Sequence, residues 1–447
     1  MLASALRRFT LGGSTSPEDG RRGRMQIEER EIEADQVRLG MFVCRLDRPW
    51  TETPFPLQGF YVHELSQIET LRNYCRRVWI DVELTQRGYA RSFSGMSALS
   101  SAASQMTTDR DITPNGASVS TPAPTRDPRL GSATYRDTVD FEHEVPRARE
   151  ALENTATTIS ELVEQAQSGK PIEPEVAHAA ARPVVASVLR NADAMFWLNA
   201  LRRHDGYAYS HALNCAMLAA AFGRHLGLPE DYLVELATGA MLMDIGKTQV
   251  PQPLLEREGP LDPLSMARVR RHVELGTQML QDDRFSATVI EMVRGHHERA
   301  DGTGYPARRS GGDIPLHARI AAIVDSFDAM TSDRPHAPAM ARHIALQDLY
   351  RDRVTRYYPE LVEQFISCLG VYPTGSLAEL NTGEIVAIMS QNAARRLRPR
   401  VLVLTDPDGR LLSGFRTLDL LSADSAIEIR RPLADHHAGI DVKELYL

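Results

Sequence analysis

The chain has 447 residues, a formal net charge of −8 at pH 7 and 43% hydrophobic residues. That length suits roughly two to four domains with buried cores, and the acidic balance excludes a general footprint for a nucleic-acid polymer. Cys44, Cys75, Cys215 and Cys368 are scattered without CxxC spacing, which excludes a disulfide framework and reads as reduced residues of a cytoplasmic protein; no apolar run reaches the roughly 18 residues of a membrane span.

Residues 1–25 carry Arg7, Arg8, Arg21, Arg22 and Arg24 but no long apolar stretch, so a flexible tail is expected rather than a signal peptide. Residues 26–90 read as a small α+β domain. Gln36 to Leu46 is a turn entering a short strand. His63 to Tyr74 has helical spacing with Leu65, Ile68 and Leu71 on one side, and Val78 to Val82 is an apolar strand. Trp50, Phe55 and Phe60 suit a small core there, with a ligand platform as the alternative. Residues 91–136 are rich in Ser, Ala, Thr, Gly and Pro, with too few large apolar side chains to fold alone, so a disordered linker is expected.

Residues 137–172 form a charged connecting helix. Its stripe of Ala151, Leu152, Ile159, Leu162 and Val163 suits a second subunit, the reading preferred here, or the chain's own helical domain. Residues 173–370 read as that domain. Val184–Arg203, His211–Leu226 and Tyr232–Met243 are apolar-periodic, and Pro251, Pro253 and Pro260 mark a loop. Met266 to Leu280 resumes as helix, Ser286 to His297 and Pro315 to Met330 follow, and further helices come after Arg342. In residues 371–447, short apolar runs flank the turn Asp406-Pro407-Asp408-Gly409, a hairpin signal. The fold class is therefore mainly α, a helical bundle with a small N-terminal α+β domain and a small C-terminal β extension.

Chemistry concentrates in the bundle. His296 and His297 lead into Glu298 and then Asp301-Gly302-Thr303-Gly304-Tyr305-Pro306. Imidazoles and carboxylates bind Fe, Mn or Zn, and the glycine- and proline-rich run is a turn. Two solvated histidines at a surface helix end fit the same residues. Met241 to Lys247 ends an apolar helix with Asp244, Gly246 and Lys247: a metal-bridging carboxylate beside a phosphate-facing cation, or a helix stop with a cation complementing the dipole. His211, His272 and Asp325 each read singly as ordinary core or surface residues. Their separation by one or two helices is also what aims several ligands at one centre.

Five segments, YSHALN, MDIGK, RHVELG, HHERADGTGYP and VDSFDAMTSDRP, occur in order between about Asp205 and Pro338. With them the chain resembles the HD-GYP family, HD-type phosphohydrolases that cleave cyclic di-GMP. The runs LGMFV, DRPW, PFPLQGF and VWIDVE resemble the small domain that often precedes it. The resemblance implies an HD-type bundle. It implies metal ligands at His211, Asp244, His272, His296, His297 and Asp325, with Asp244 bridging. It implies that Asp244 and Lys247 carry the chemistry, and that Lys247, Tyr305 and Arg334 meet the substrate. Divalent Fe or Mn at two positions is implied as cofactor. A homodimer and diguanylate cyclase (GGDEF) proteins are implied as partners.

Three departures matter. Met243 stands where the family has the histidine of its HD pair, and a thioether is a poor donor for Fe(II) or Mn(II). The position held by His211, Asp244 and Asp325 is expected to be weakened, and the one held by Asp244, His272, His296 and His297 intact. Tyr207 replaces a glutamate that adds a third metal in some members. Pro335-His336-Ala337 follows Arg334 where a further cation is usual. A cyclic di-GMP phosphodiesterase of reduced rate is the first expectation. A degenerate relative that senses cyclic di-GMP or serves as a scaffold is the second, and a phosphohydrolase for another nucleotide the third.

Overall fold

A strand of alternating exposure and a helix with one apolar side suffice for a small layered unit, and the N-terminal segment has both. The computed structural model describes residues 29–39, 41–48, 60–62, 65–81, 131, 133–201, 207–280, 284–334, 337–392, 395–423, 426–437 and 439–441. They belong to two compact units, before and after about residue 129. In the first, β1 (Glu29–Glu33), β2 (Phe42–Leu46), β3 (Phe60–Tyr61) and β4 (Arg77–Asp81) form an antiparallel sheet in the order β1-β4-β2-β3. Helix α1 (Leu65–Tyr74) packs Ile68 and Leu71 against Val43 and Val78. Leu65 is 68% exposed, contrary to expectation. Positions three apart drift around a helix, and a first-turn residue falls off the stripe. Trp50, Phe55, the side chain of Phe60, the tail and residues 91–130 of the linker lie outside the described residues.

The second unit is the bundle. The end of the expected linker is bound to it: Ala133 donates its amide to the Gly227 carbonyl at 3.1 Å, and the Tyr135 hydroxyl reaches the Leu228 carbonyl at 2.8 Å. Helix α2 (Phe141–Gln167) buries Ala151, Leu152, Ile159 and Leu162 in the core of its own bundle, alongside α3 (Pro174–Leu201). This corrects the preference for a second subunit: the stripe already has an intrachain partner. The pairing is pinned by Glu144, which is fully buried and accepts from Ser187 Oγ at 2.7 Å and from Arg190 Nε and Nη2 at 2.7 and 2.8 Å. Helix α3 breaks at Asn191, whose Oδ1 accepts from the Asp193 and Ala194 amides and so caps the second half.

Helices α4 (Tyr207–His225) and α5 (Glu230–Leu242) follow, then a 3-10 turn (Ile245–Gln249) and short α6 (Gln252–Leu255). The stretch expected to be one helix from Met266 to Leu280 is two, α7 (Pro263–Arg270) and α8 (His272–Leu280). The break at Arg271 has a physical reason. Helix α7 buries none of its residues, whereas α8 buries His272, Val273, Gly276, Thr277 and Leu280, so the chain turns from surface to core. Helices α9 (Ala287–Gly295), α10 (Leu316–Thr331), α11 (Arg342–Arg351) and α12 (Pro359–Leu369) complete the bundle.

The C-terminal strands β5 (Leu377–Leu380), β6 (Ile385–Ser390), β7 (Arg400–Thr405), β8 (Leu411–Asp419) and β9 (Ile429–Pro432) form an antiparallel sheet in the order β8-β7-β6-β5-β9. The turn between β7 and β8 is the anticipated one: Asp406 Oδ1 accepts from the Asp408 and Arg410 amides, and Gly409 takes φ 81°. Two further short strands, β10 (His436–His437) and β11 (Ile440–Asp441), pair with each other. The sheet is tied to α3 through Asp193, which accepts from the Gln391 amide at 2.7 Å and the Thr374 hydroxyl at 2.9 Å. Among the described residues no helix is long and apolar enough to cross a membrane.

Because Glu144 is buried beneath it, removing the Arg190 cation strands a carboxylate. Arg190→Met is expected to destabilise the bundle by about 3 kcal/mol or more, read as a lower denaturation midpoint. Unchanged stability would show that α2 is not part of the cooperative core.

Candidate metal centre

Two of the four site histidines are set by a local main-chain contact. His272, at the start of α8, places Nδ1 2.7 Å from the Val269 carbonyl; His296, capping the C-terminus of α9, places Nδ1 2.9 Å from the Val293 carbonyl. A carbonyl only accepts, so Nδ1 donates in both rings and Nε2 is the atom turned toward the site. Those two Nε2 atoms lie 3.4 Å apart, and 3.2 and 3.6 Å from Asp244 Oδ1. Asp244 Oδ1 is buried and has no hydrogen-bond partner. Two imidazole nitrogens and an unpartnered carboxylate oxygen thus converge, an arrangement that suits a cation. Ligand atoms about 2.1 Å from one ion stand roughly 3.0–3.4 Å from each other, and these atoms approximate that spacing. The residues present therefore fit a metal ion. His297 completes this group. Burial, together with neighbouring His296, holds its imidazole well below the usual range, so it is a neutral donor.

Asp244 Oδ2 faces the other way. It is 3.3 Å from His211 Nε2 and 2.5 Å from Lys247 Nζ. His211 Nε2 is also 3.4 Å from Asp325 Oδ1, and His297 Nδ1 is 3.6 Å from Asp325 Oδ2. His211, Asp244 and Asp325 make the second group. Burial opposes a charged His211, but the Cys215 thiol and the carboxylates of Asp244, Asp325 and Asp328 lift it well above its ordinary value. Asp244 and Asp325 both lie below the usual carboxylate range. Burial opposes this; Lys247 and three histidines override it at Asp244, and His211 and His297 at Asp325. The site is thus a set of ionised acids and histidines sharing one bridging carboxylate.

The structure brings together all six expected metal ligands and Lys247. The Tyr305 ring lies 4.6 Å from that of His297 and forms a wall of the site. Arg334 lies beyond α10 in a small antiparallel bridge to Ala337, and its Nε is buried without a hydrogen-bond partner. His336 lies outside the described residues, as does the side chain of Tyr207. Met243 is 1% exposed and belongs to the apolar core.

Several residues went unassigned in the sequence. Asp328 accepts from His211 Nδ1 at 2.7 Å and from Asn214 Nδ2 at 2.6 Å, turning Nε2 toward Asp244 and Asp325. The signal was spacing, since Asp328 and Asn214 each lie three residues beyond a ligand on one helix face. Glu298 is buried and accepts the amides of Ala307 and Arg309 at 2.8 and 2.9 Å, which holds the loop bearing Tyr305. Gly246 is no helix stop: it lies inside the 3-10 turn, where a Cβ would come within 2.0 Å of the His272 carbonyl oxygen. Its small size lets the turn holding Lys247 touch the helix holding His272.

Residues 193–361 match a family model described as HD domain, and residues 29–177 match one described as a domain of unknown function. The cyclic di-GMP phosphodiesterase PA4108 of Pseudomonas aeruginosa is 31% identical over 395 residues, spanning 88% of this chain and 89% of that protein. The 3'3'-cGAMP-specific phosphodiesterase 2 of Vibrio cholerae is 30% identical over 167 residues, 37% of this chain and 32% of that one. Among solved structures, the HDG"Y"P protein Bd1817 of Bdellovibrio bacteriovorus aligns over 76% of this chain and 99% of its own, at 16% identity and a TM-score of 0.42.

Asp328→Ala is expected to leave the helical content intact and weaken metal affinity by about 10–100-fold, the usual cost of losing a partner that orients a ligand. Metal titration of the purified variant checks this, and wild-type affinity would remove Asp328 from the site.

Proposed function

Because the chain belongs to the HD-GYP family of HD-domain phosphodiesterases, we propose that it hydrolyses cyclic di-GMP to pGpG, GMP or both. The observation that carries this reading is Asp244, whose two oxygens face two separate groups of donors while Lys247 sits beside it. His211, Asp244, His272, His296, His297 and Asp325 would hold divalent ions, Fe or Mn by the donor set, which would supply activation of water and neutralisation of charge on the phosphoryl oxygens. Lys247 is placed to meet a phosphate oxygen as a point charge. Tyr305 walls the site beside His297. Burial, then the nearby carboxylates of Asp325 and Asp244, keep its phenol neutral and able to donate a hydrogen bond. The unpartnered Nε–H of Arg334 suits an anionic oxygen.

Met243 adjusts the rate. Its thioether lies in the apolar core, and the group of His211, Asp244 and Asp325 has three protein donors. That group would hold an ion more weakly than Asp244, His272, His296 and His297 would. Removing one electrostatic contributor costs roughly 10²–10³ in rate, so substrate capture outlasts turnover. The same residue favours the second reading, a sensor of cyclic di-GMP or a scaffold whose protein partners are diguanylate cyclase (GGDEF) proteins or a second copy of the chain.

Anaerobically purified protein is expected to cleave cyclic di-GMP faster than 3'3'-cGAMP, with metals counted on the same sample. Cyclic di-GMP binding without turnover, at one metal or none per chain, would instead establish the sensor. Met243→His is expected to add metal and raise the rate by about 10²-fold. If metal-saturated Met243→His is no faster than wild type, Met243 does not limit catalysis. His297→Ala is expected to strip the better-held ion; unaltered metal content would overturn the ligand assignment.

A further inference from the structure

A cyclic dinucleotide carries two phosphates. The one being cleaved belongs at the metal groups beside Lys247, and the other needs its own cation. The run after Arg334 is Pro335-His336-Ala337, without the Arg or Lys that the family resemblance leads one to expect. The structure offers a replacement from a different element. Arg270 is the last residue of α7, two positions before His272. Its guanidinium carbon lies 4.9 Å from the centroid of the Tyr305 ring, whose own centroid is 4.6 Å from that of His297.

Arg270 is exposed, and among the described residues no carboxylate pairs with it. Helix α7 buries none of its side chains, so Arg270 is not there to hold a core. Three other arginines are engaged elsewhere: Arg309 and Arg294 both bind Glu291, and Arg299 bonds the main-chain carbonyls of His296 and Glu298. A guanidinium over an aromatic face is oriented by the ring and keeps its N–H edge free for bidentate contact with a phosphate.

We infer that Arg270, held over Tyr305, binds the phosphate of the cyclic dinucleotide that is not being cleaved. This rests on the cyclic di-GMP reading above and adds a specificity residue to it. Arg270 selects ligands with a second phosphate, and α7 becomes one side of the substrate site.

The test uses the full chain loaded with Mn(II), as wild type, Arg270→Gln and Arg270→Lys. Cyclic di-GMP affinity is measured calorimetrically, KM and kcat by product formation, and bound metal on each sample. Arg270→Gln is expected to weaken binding and raise KM roughly tenfold or more, the loss of a charged hydrogen-bonded contact, with kcat moving far less and metal content equal to wild type. Arg270→Lys should recover part of the loss, because it restores the charge without the fork. Unchanged affinity in Arg270→Gln overturns the inference while the functional reading stands. A fall in kcat or metal content with KM unchanged also overturns it, because Arg270 then only props Tyr305 and the cluster. Wild-type protein that neither binds nor cleaves cyclic di-GMP overturns the functional reading and this inference with it.

Discussion

Buried acceptors facing one another make the central constraint in this molecule. Asp244 Oδ1, which has no hydrogen-bond partner, meets the Nε2 atoms of His272 and His296. Such an arrangement is costly in a low-dielectric interior unless a cation fills it. The other oxygen of the same carboxylate faces His211 and Lys247, so one residue joins both halves of the site. Displacing Asp244 would disturb every other ligand.

The bundle supplies the stiffness for this. The candidate ligands come from α4, the turn after α5, α8, the end of α9 and α10, and three of the four rings are fixed by a second contact. Main-chain carbonyls hold His272 and His296, and Asp328 with Asn214 holds His211. Close approach matters as much as bonding. Gly246 lies against the His272 carbonyl, and at Gly304 a Cβ would come within 2.5 Å of the Arg299 amide and the His297 carbonyl. Glycine at these two places lets the Lys247 turn and the Tyr305 loop close onto the metal groups.

Met243 and α7 modify this frame without changing it. Met243 stays in the apolar core, and the group of His211, Asp244 and Asp325 has three donors where the other has four. Helix α7 lies outside the core and brings a cation to the rim of the site. Its independence from α8 follows from burial, since one helix faces solvent and the next enters the interior.

The residue order alone determined the helical class and the β extension with its Asp406–Gly409 turn, and it singled out the residues from His211 to Asp325 that the fold brings together. Apolar periodicity and turn chemistry are local, and five ordered motifs carry a family pattern in linear form. What the order did not reveal depended on distance in space. The α2 stripe reads first as a face for a second subunit, whereas α3 lies along it, because periodicity marks an apolar face and not its partner. Asp328 and Glu298 were visible as acids beside ligands, but only the fold put one behind His211 and the other under the Tyr305 loop. Gly246 looked like a helix stop because close backbone contact leaves no mark in a sequence beyond the absence of a side chain. Arg270 lies 35 positions from Tyr305 in the chain. A cation resting on a ring in another loop is a tertiary fact, since no local rule places two such residues face to face.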